Sequence, residues 1–285
     1  MRLLALLVLL SARVWGTELT CVTWNMEWFP SGKKDLRLPE VEPGRITTAA
    51  GMLGKASPHI LFIEELRDRE ACEALARAMD DHTRVAVCSA FTDDAHIPTF
   101  QQCVILVRTD GRTPAVHVVS SGFERWKRKG RLVPSRGYAY AVLNVGQAIV
   151  TCYCVHLKAN RSNTFKGQQQ DIYNREVAIE QLLAAMKERP ADNVIIAGDF
   201  NSNLDDDAWV SEASLRRLDE NGYSHCFKGV PMSERVTIPA KGGYPDVTFD
   251  YLFFKGLHLK APGRVMTGAP ISDHNAVVAT LYDEH

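Results

Sequence analysis

The chain has almost no net charge, because its 33 lysines and arginines are balanced by 34 aspartates and glutamates. This balance excludes a global electrostatic attraction to nucleic acid or membranes, so any such attraction must come from a local patch. The sequence also lacks a Cys-x-x-Cys spacing, which argues against a structural zinc site. No internal repeat or low-complexity linker divides it. Its 285 residues, 46% of them hydrophobic, suit one large domain over residues 17–285.

The apolar stretch at the N-terminus is too short to span a bilayer, which takes about 20 residues. It runs from Leu3 to Leu10 and follows Arg2, and beyond it Val14 and Gly16 are small enough for the positions that flank a cleavage site. This pattern predicts a secretory signal peptide over residues 1–16, and therefore a secreted or periplasmic protein. A buried N-terminal strand or an uncleaved anchor is the alternative interpretation.

Seven cysteines in an exported chain would leave at least one thiol unpaired. Cys88 and Cys103 are the best candidates for a disulfide, because each lies in a strand-like run and the intervening loop is of hairpin size. Cys152 and Cys154 should share one face of a strand, where neighbours two apart rarely bridge. The alternative is that most of the seven are buried thiols, which behave as small hydrophobic residues.

The order of the predicted elements favours a mixed α/β sandwich. Short apolar runs with the pattern of strands alternate with a few helices, of which Gln168–Arg189 is the clearest. Segments 138–145 and 148–155 indicate a hairpin, and 257–265 is predicted as one continuous strand. We therefore expect a four-layer α/β/β/α sandwich of two mainly antiparallel sheets with outer helices.

Polar side chains mark the ends of the predicted strands. Five apolar strands end on a carboxylate, amide or imidazole, and a sixth motif opens a strand instead: these are segments 23–27, 60–65, 154–157, 197–201 and 272–275, and then 249–254. If these ends meet, they bring together hard oxygen ligands and two histidines. That combination suits a divalent cation bound to a phosphate ester.

Each motif alone also has an ordinary structural explanation. Asp199 and Asn201 point the same way from an extended chain and could hold a water and a phosphate oxygen, but an Asx turn that caps a helix is equally consistent. A surface turn would explain Asp273-His274, and a structural role would explain His156. Glu65 could cap the next helix. Because Glu64 and Glu65 are adjacent, we expect one to enter a site and the other to face solvent.

Taken in order, these motifs resemble those of the endonuclease/exonuclease/phosphatase (DNase I-like) superfamily. The matching order is Trp-Asn-Met-Glu, Ile-Glu-Glu, His-Leu, Gly-Asp-Phe-Asn, Phe-Asp-Tyr and Ser-Asp-His. The resemblance covers essentially all of the chain after the predicted leader, and secreted bacterial nucleases of this type look most similar. It implies a metal-dependent phosphoric diester hydrolase that uses Mg²⁺, or else Mn²⁺ or Ca²⁺.

The resemblance also implies roles for individual residues. Glu65 would be the main metal ligand, with Asn25 and Asp273 near the ion. The implied catalytic residues are His156, Asp199, Asn201, Asp250 and His274. The two histidines would flank the phosphorus as acid and base, in an order that stays open, and Asp250 would orient one of them. Asp199 and Asn201 would orient the attacking water and the phosphate.

Basic residues provide the clue to the substrate. Segment 125–131 contains five cations and one tryptophan, among them Arg125, Lys127, Arg128 and Lys129. Lys and Arg grip the phosphates of nucleic acid, and Trp126 could stack on a base. A solvated hairpin tip and binding to anionic lipid headgroups are the alternatives. Beyond this run, Lys158 would hold anionic oxygens, and Arg136 resembles the phosphate-gripping arginine of the superfamily.

We therefore expect a monomeric nuclease that hydrolyses DNA, with RNA left open, at low sequence specificity and without stable insertion into membranes. A sphingomyelinase-like or small phosphoester hydrolase is the alternative. It ranks lower because no long aromatic hairpin of the kind that inserts into bilayers is evident. A binding module that kept the fold but lost the chemistry ranks third, since every expected catalytic position is filled.

Overall fold

The computed structural model describes residues 18–31, 42–92, 96, 98–109, 114–128, 131–160, 164–204, 206, 209–268 and 271–284. The side chains of 42–43, 128 and 131–135 lie outside this description. The predicted leader, residues 1–16, also lies outside it, so the secretory signal stays a prediction. Within the described ranges, no helix is both long enough and apolar enough to cross a membrane.

The described residues include thirteen strands and four α-helices. In order, its elements are β1 (Glu18–Phe29), α1 (Glu42–Gly54), β2 (Ile60–Leu66), α2 (Arg69–Met79), β3 (Thr83–Cys88), β4 (Gln102–Arg108), β5 (Val116–Arg128), β6 (Arg131–Val145), β7 (Ala148–His156), α3 (Phe165–Glu188), β8 (Asn193–Asp199), α4 (Ser214–Glu220), β9 (Ser224–His225), β10 (Asp250–Lys255), β11 (His258–Leu259), β12 (Arg264–Met266) and β13 (Ala276–Tyr282).

The strands form two sheets. The first has the order β11-β13-β1-β2-β4-β3, with β12 also paired to β13, and the second has the order β5-β6-β7-β8-β10-β9. The pairs β1/β2 and β7/β8 are parallel, and the other strand pairs are antiparallel. The expectation of two mainly antiparallel sheets is confirmed.

Helices cover the outer face of each sheet. In β2, Ile60 and Phe62 face the core between the sheets, whereas Leu61 and Ile63 pack against α1 and α2. This alternation explains why the run is apolar at every position, since successive strand residues point to opposite faces. On the other side, the buried face of α3 packs on the second sheet. The result is the predicted four-layer sandwich.

The predicted disulfide between Cys88 and Cys103 is wrong, because all seven cysteines are free. Cys88 pairs in register with Val104, so Cys103 lies one position away on β4. A shift of one residue reverses the face, and Cys103 faces the core between the sheets while Cys88 packs on the helix side. The alternative of buried thiols describes the molecule better.

The predicted continuous strand over 257–265 is also wrong. The structure divides it into β11 and β12, both paired with β13. Pro262 and Gly263 lie between them, and proline has no N–H to donate to a strand ladder. The backbone N–H of Gly263 bonds instead to the carbonyl of Cys226 at 2.7 Å.

Candidate active site

Strand register brings the polar strand ends to one edge of the sandwich. His156 pairs with Asp199 at the ends of parallel strands β7 and β8, and Asp250 at the start of antiparallel β10 pairs with Asp199 from the other side. From the first sheet, the ends of β1 and β2 contribute Asn25 and Glu65. Parallel strands place their carboxyl ends at the same edge of a sheet. Motifs that are far apart in the sequence therefore form a single cluster.

Gly198 allows this close approach. Its φ is +145°, and a Cβ atom at this position would lie 1.9 Å from the carbonyl oxygen of Val155 on the neighbouring strand. Only glycine fits there, and it leads directly into Asp199.

The expectation that Glu64 or Glu65 faces solvent is wrong, since Glu64 is 0% and Glu65 6% exposed. The pairing of β2 with β4 shifts between Ile63 and Leu66, and Glu65 adopts a φ of +60°. This irregularity breaks the simple alternation of a strand, because a bulge re-aims the side chain. Glu64 points into the core, where its Oε1 accepts from the thiol of Cys154 at 3.2 Å.

Asp199 is the hub of the cluster and is 2% exposed. Its Oδ2 accepts from Asn25 Nδ2 at 3.0 Å and from Asn201 Nδ2 at 2.9 Å. Its Oδ1 accepts from the backbone N–H of Asn201 at 2.9 Å. Two amides and one backbone donor therefore fix the carboxylate in one orientation.

Both histidines place an Nε2 atom near this carboxylate. His274 Nε2 is 3.9 Å and His156 Nε2 is 3.5 Å from Asp199 Oδ2. Asp250 Oδ2 lies 2.8 Å from His274 Nδ1, which leaves the Nε2 of His274 facing Asp199. His156 Nε2 is also 3.7 Å from Glu65 Oε1. A continuous series of buried contacts therefore connects Glu65, His156, Asp199, His274 and Asp250.

Burial and neighbouring charges shift the pKa values in this cluster. Burial raises the pKa of Asp199 to about 7, against the opposing charge of His274. Burial would lower the pKa of His274, but the charges of Asp250, Asp199 and Asp273 outweigh it and raise that pKa to about 10. Burial also raises the pKa of Glu65, while Arg136 acts to lower it.

Backbone strain also concentrates here. Glu27, Trp28, Glu65 and Asn201 are non-glycine residues with φ values of +44°, +54°, +60° and +51°. Each such residue costs roughly 1–3 kcal/mol and persists only where its surroundings hold it. Trp28 and Glu65 support each other, because the backbone N–H of Trp28 donates to Glu65 Oε2 at 3.3 Å.

The structure places Arg136 beside the cluster but turns its donors inward. Its guanidinium bonds to the carbonyls of His156 and Leu157 at 3.4 and 3.2 Å, and to Gln101 Oε1 at 2.9 Å. Lys158 Nζ contacts Asp171 at 3.2 Å on α3. Asp273 is 49% exposed by side chain, with Oδ1 3.9 Å from His274 Nε2.

The basic run lies at the same end of the second sheet, but on its edge strand β5. Arg125 pairs in register with Gly137, the neighbour of Arg136, and its guanidinium bonds to Ala90 O and Thr92 Oγ1 at 3.2 Å each. Trp126 is 6% exposed and packs on Tyr138, so the expectation that it stacks on a base is wrong. Lys127 is exposed. The side chain of Arg128 and all of Lys129 lie outside the described residues.

The cluster forms the floor of a cleft of about 850 Å³. One wall is apolar and aromatic and includes Trp209, Tyr244, Val247 and Phe249. The Trp209 and Phe249 rings meet edge to face with centroids 5.2 Å apart. The site therefore joins a polar floor to a wall that suits an apolar or planar group.

Three further residues support the site although the sequence assigned them no role: Gln101, Ser272 and Trp209. Gln101 Nε2 donates to Glu65 Oε1 at 3.2 Å. Ser272 Oγ donates to the carbonyl of Asn25 at 2.6 Å and accepts from the backbone N–H of His274 at 3.0 Å. Ser272 could have been found from its place in the Ser-Asp-His motif, whereas Gln101 and Trp209 have no local signal, since only the fold brings them to the cleft.

The chemistry of the donors fits a divalent cation. Asp199, Asp250 and His274 each offer a ligand atom within 4.8 Å of the others. Glu65, Asn25 and Asp273, which the resemblance implies as ligands, would supply only oxygen, the donor that Mg²⁺, Mn²⁺ and Ca²⁺ prefer. Both oxygens of Glu65 also accept hydrogen bonds, from Gln101 and from the backbone of Trp28, and each has a second lone pair that can face a hard cation.

Comparison with known proteins agrees with this architecture. The model of the Endonuclease/Exonuclease/phosphatase family matches residues 22–274, and the chain belongs to this family. The members are hydrolases of phosphoester bonds that depend on divalent metals. No curated protein sequence matches the chain.

Solved structures share the fold at low sequence identity. Truncated TDP2 from Caenorhabditis elegans is 18% identical with a TM-score of 0.64, over 93% of this chain and 97% of that one. A family member from Bacteroides vulgatus is 14% identical with a TM-score of 0.69, over 94% and 100%. A mannosyl-6-phosphatase from Bacteroides thetaiotaomicron is 15% identical with a TM-score of 0.64, over 92% and 99%.

Proposed function

We propose that the protein is a secreted, divalent-metal-dependent phosphodiesterase that cuts DNA, or RNA, with little sequence preference. The observation that carries this proposal is the buried carboxylate of Asp199 with two imidazoles close to it, 3.5 and 3.9 Å from its Oδ2. The basic run on β5 reaches the same end of the sheet and supports a long polyanionic substrate.

In this proposal Glu65, Asn25 and Asp273 would hold the cation, which when bound would stabilise the charge that builds on the phosphate. The chain supplies the proton transfers. Asp199 takes a proton from the attacking water, which Asn201 helps to orient. His274, held at Nδ1 by Asp250, gives a proton from Nε2 to the leaving oxygen, and His156 binds a phosphate oxygen from the opposite side.

The test is an activity panel with the purified protein on plasmid DNA, linear DNA, RNA, sphingomyelin and a sugar phosphate. Magnesium, manganese and calcium are added singly, with EDTA as the control. We expect the protein to cleave plasmid and linear DNA. We expect this cleavage to be lost when EDTA is added and also in the Asp199→Asn variant. If no metal supports cleavage of nucleic acid but another substrate of the panel is hydrolysed, the protein is a hydrolase and not a nuclease.

A small phosphoester is the second candidate substrate, and the aromatic wall favours it. Trp209, Tyr244 and Phe249 suit a compact leaving group, and most described cations near the cleft bond to the protein itself. A mannosyl-6-phosphatase also shares the fold. Rate constants on the sugar phosphate that exceed those on DNA, without dependence on salt, would favour this candidate.

A further inference from the structure

Arg175 is a buried cation that the proposed chemistry does not use. It lies on α3, on the outer side of the second sheet, and its side chain is 0% exposed. A buried charge is costly unless its partners compensate it, so the partners of Arg175 indicate what it does.

Four hydrogen bonds engage the guanidinium of Arg175. Its Nε and Nη2 donate to the two oxygens of Glu212 at 2.7 and 2.5 Å. Its Nη1 donates to the carbonyl of Lys158 at 2.7 Å and to Asn160 Oδ1 at 2.8 Å. One side chain therefore ties the loop that follows β7 to the segment that precedes α4.

Both tied segments border the cleft. Ala159 and Asn160 line it from the first segment, and Trp209 lines it from the second. The backbone N–H of Glu212 donates to the carbonyl of Trp209 at 3.0 Å, and the guanidinium lies 5.4 Å from the centre of the Trp209 ring. A change at Arg175 would therefore affect both Trp209 and the loop that follows β7.

We infer that Arg175 is a positioning residue that sets the distance between the loop after β7 and Trp209, and so fixes how tightly the cleft holds its substrate. The inference rests on the proposed function, because it concerns the same cleft. Lysine cannot replace this arginine, since only the planar guanidinium presents donors to Glu212 and to the loop at the same time.

Arg175→Lys tests the inference, and Arg217→Lys is the matched control. Arg217 also joins α4 to α3, through Glu180 at 2.7 Å and Glu176 at 3.7 Å, but neither partner lines the cleft. We expect Arg175→Lys to raise KM about tenfold on the best substrate of the panel while kcat changes much less. Arg217→Lys should leave both constants unchanged. An equal KM in wild type and Arg175→Lys would overturn the inference.

A second measurement needs no substrate. Quenching of Trp209 by acrylamide is taken as the difference between each protein and its Trp209→Phe counterpart. We expect Trp209 to be quenched more in Arg175→Lys than in wild type, and to the wild-type extent in Arg217→Lys. Wild-type quenching of Trp209 in both variants would count against the positioning role. If the wild type hydrolyses no phosphoester, the proposed function fails, but the quenching measurement still tests whether Arg175 positions Trp209.

A paired replacement covers the case in which Arg175→Lys does not fold. Arg175→Met with Glu212→Leu removes both charges, so no unpaired charge stays buried. We expect this variant to fold and to show the same rise in KM and in quenching of Trp209. Wild-type values for both in the folded double variant would overturn the inference.

Discussion

The catalytic cluster and the basic run are both rich in ionisable groups, acidic and imidazole in the first and basic in the second, and they differ in their surroundings. The cluster lies where six strands of both sheets meet, and Asp199, Asp250 and His156 are 2%, 0% and 3% exposed. The run lies on an edge strand, with Arg125 tied to a neighbouring loop and Lys127 in solvent. Charges interact more strongly away from water and are screened at the surface. Burial therefore strengthens the electrostatic interactions within the cluster, whereas solvent screens those of the run.

The largest effect should come from removing a charge in the cluster. Asp199→Asn keeps the shape of the side chain but cannot accept a proton, so we expect kcat to fall by about 10²–10⁴. Steady-state rates on the best substrate measure this, with thermal unfolding to establish that the variant folds. Asp219→Asn on the exposed face of α4 is the control, and an equal loss in both variants would contradict the distinction between cluster and surface.

The next effect concerns the metal. Glu65→Gln removes a negative oxygen from the expected ligand group, so we expect half-maximal activity to need roughly 10–100 times more Mg²⁺. A magnesium titration of activity measures this change, and a parallel titration of thermal stability detects binding without turnover. Glu70→Gln, whose side chain is 83% exposed, should behave like wild type. An unchanged magnesium requirement in Glu65→Gln would remove Glu65 from the ligand group.

The basic run should affect binding rather than chemistry. Replacing Lys127, Arg128 and Lys129 together with alanine should make the salt dependence of DNA binding shallower by about 1 unit per lost phosphate contact. Binding curves at several salt concentrations measure this slope, and kcat on a small phosphodiester should not change. Alanine at Lys55, Lys187 and Lys228 removes three exposed lysines elsewhere. If both triple variants keep the wild-type slope, the run is a solvated hairpin tip.

The smallest effect is on stability, at a carboxylate far from the cleft. Asp80 Oδ1 accepts from the backbone N–H groups of His82 and Thr83 at 2.9 and 2.7 Å, and Arg108 lies 3.2 Å from Oδ2. Although its partial burial acts to raise the pKa, these hydrogen bonds and the charge of Arg108 lower it overall. We expect Asp80→Asn to reduce the free energy of unfolding by about 1 kcal/mol at neutral pH.

The sign of the pH dependence follows from the lowered pKa. The stability that Asp80 contributes is present above its unfolded pKa of about 3.9 and is lost as pH falls through the lower folded value. Urea unfolding of wild type and Asp80→Asn should therefore converge in acid. A difference that persists or grows below that range would show that the carboxylate charge is not the cause.

Local patterns predicted the elements well, because period and flanking residues act within a short stretch of chain. The helix predicted over Gln168–Arg189 and the strand predicted over 148–155 differ from α3 and β7 by three residues or fewer at each end. Patterns failed where a contact depends on a distant strand. Trp126 was expected to stack on a base but packs on Tyr138, and one of the two adjacent glutamates was expected in solvent, yet Glu64 contacts Cys154 and Glu65 is buried too.

The order of motifs was enough to indicate which residues belong to one site, because strands that end together must end at a shared edge. It was not enough to orient them. The bulge at Glu65 and the register of β8 with β10 determine which atoms face each other. The sequence by itself determined the strands, the two-sheet class and the residues at the strand ends, since these depend on local hydrophobic period. Only the tertiary structure decided burial, partners and the place of Arg175 behind the cleft, because these arise from contacts between distant segments that no local pattern encodes.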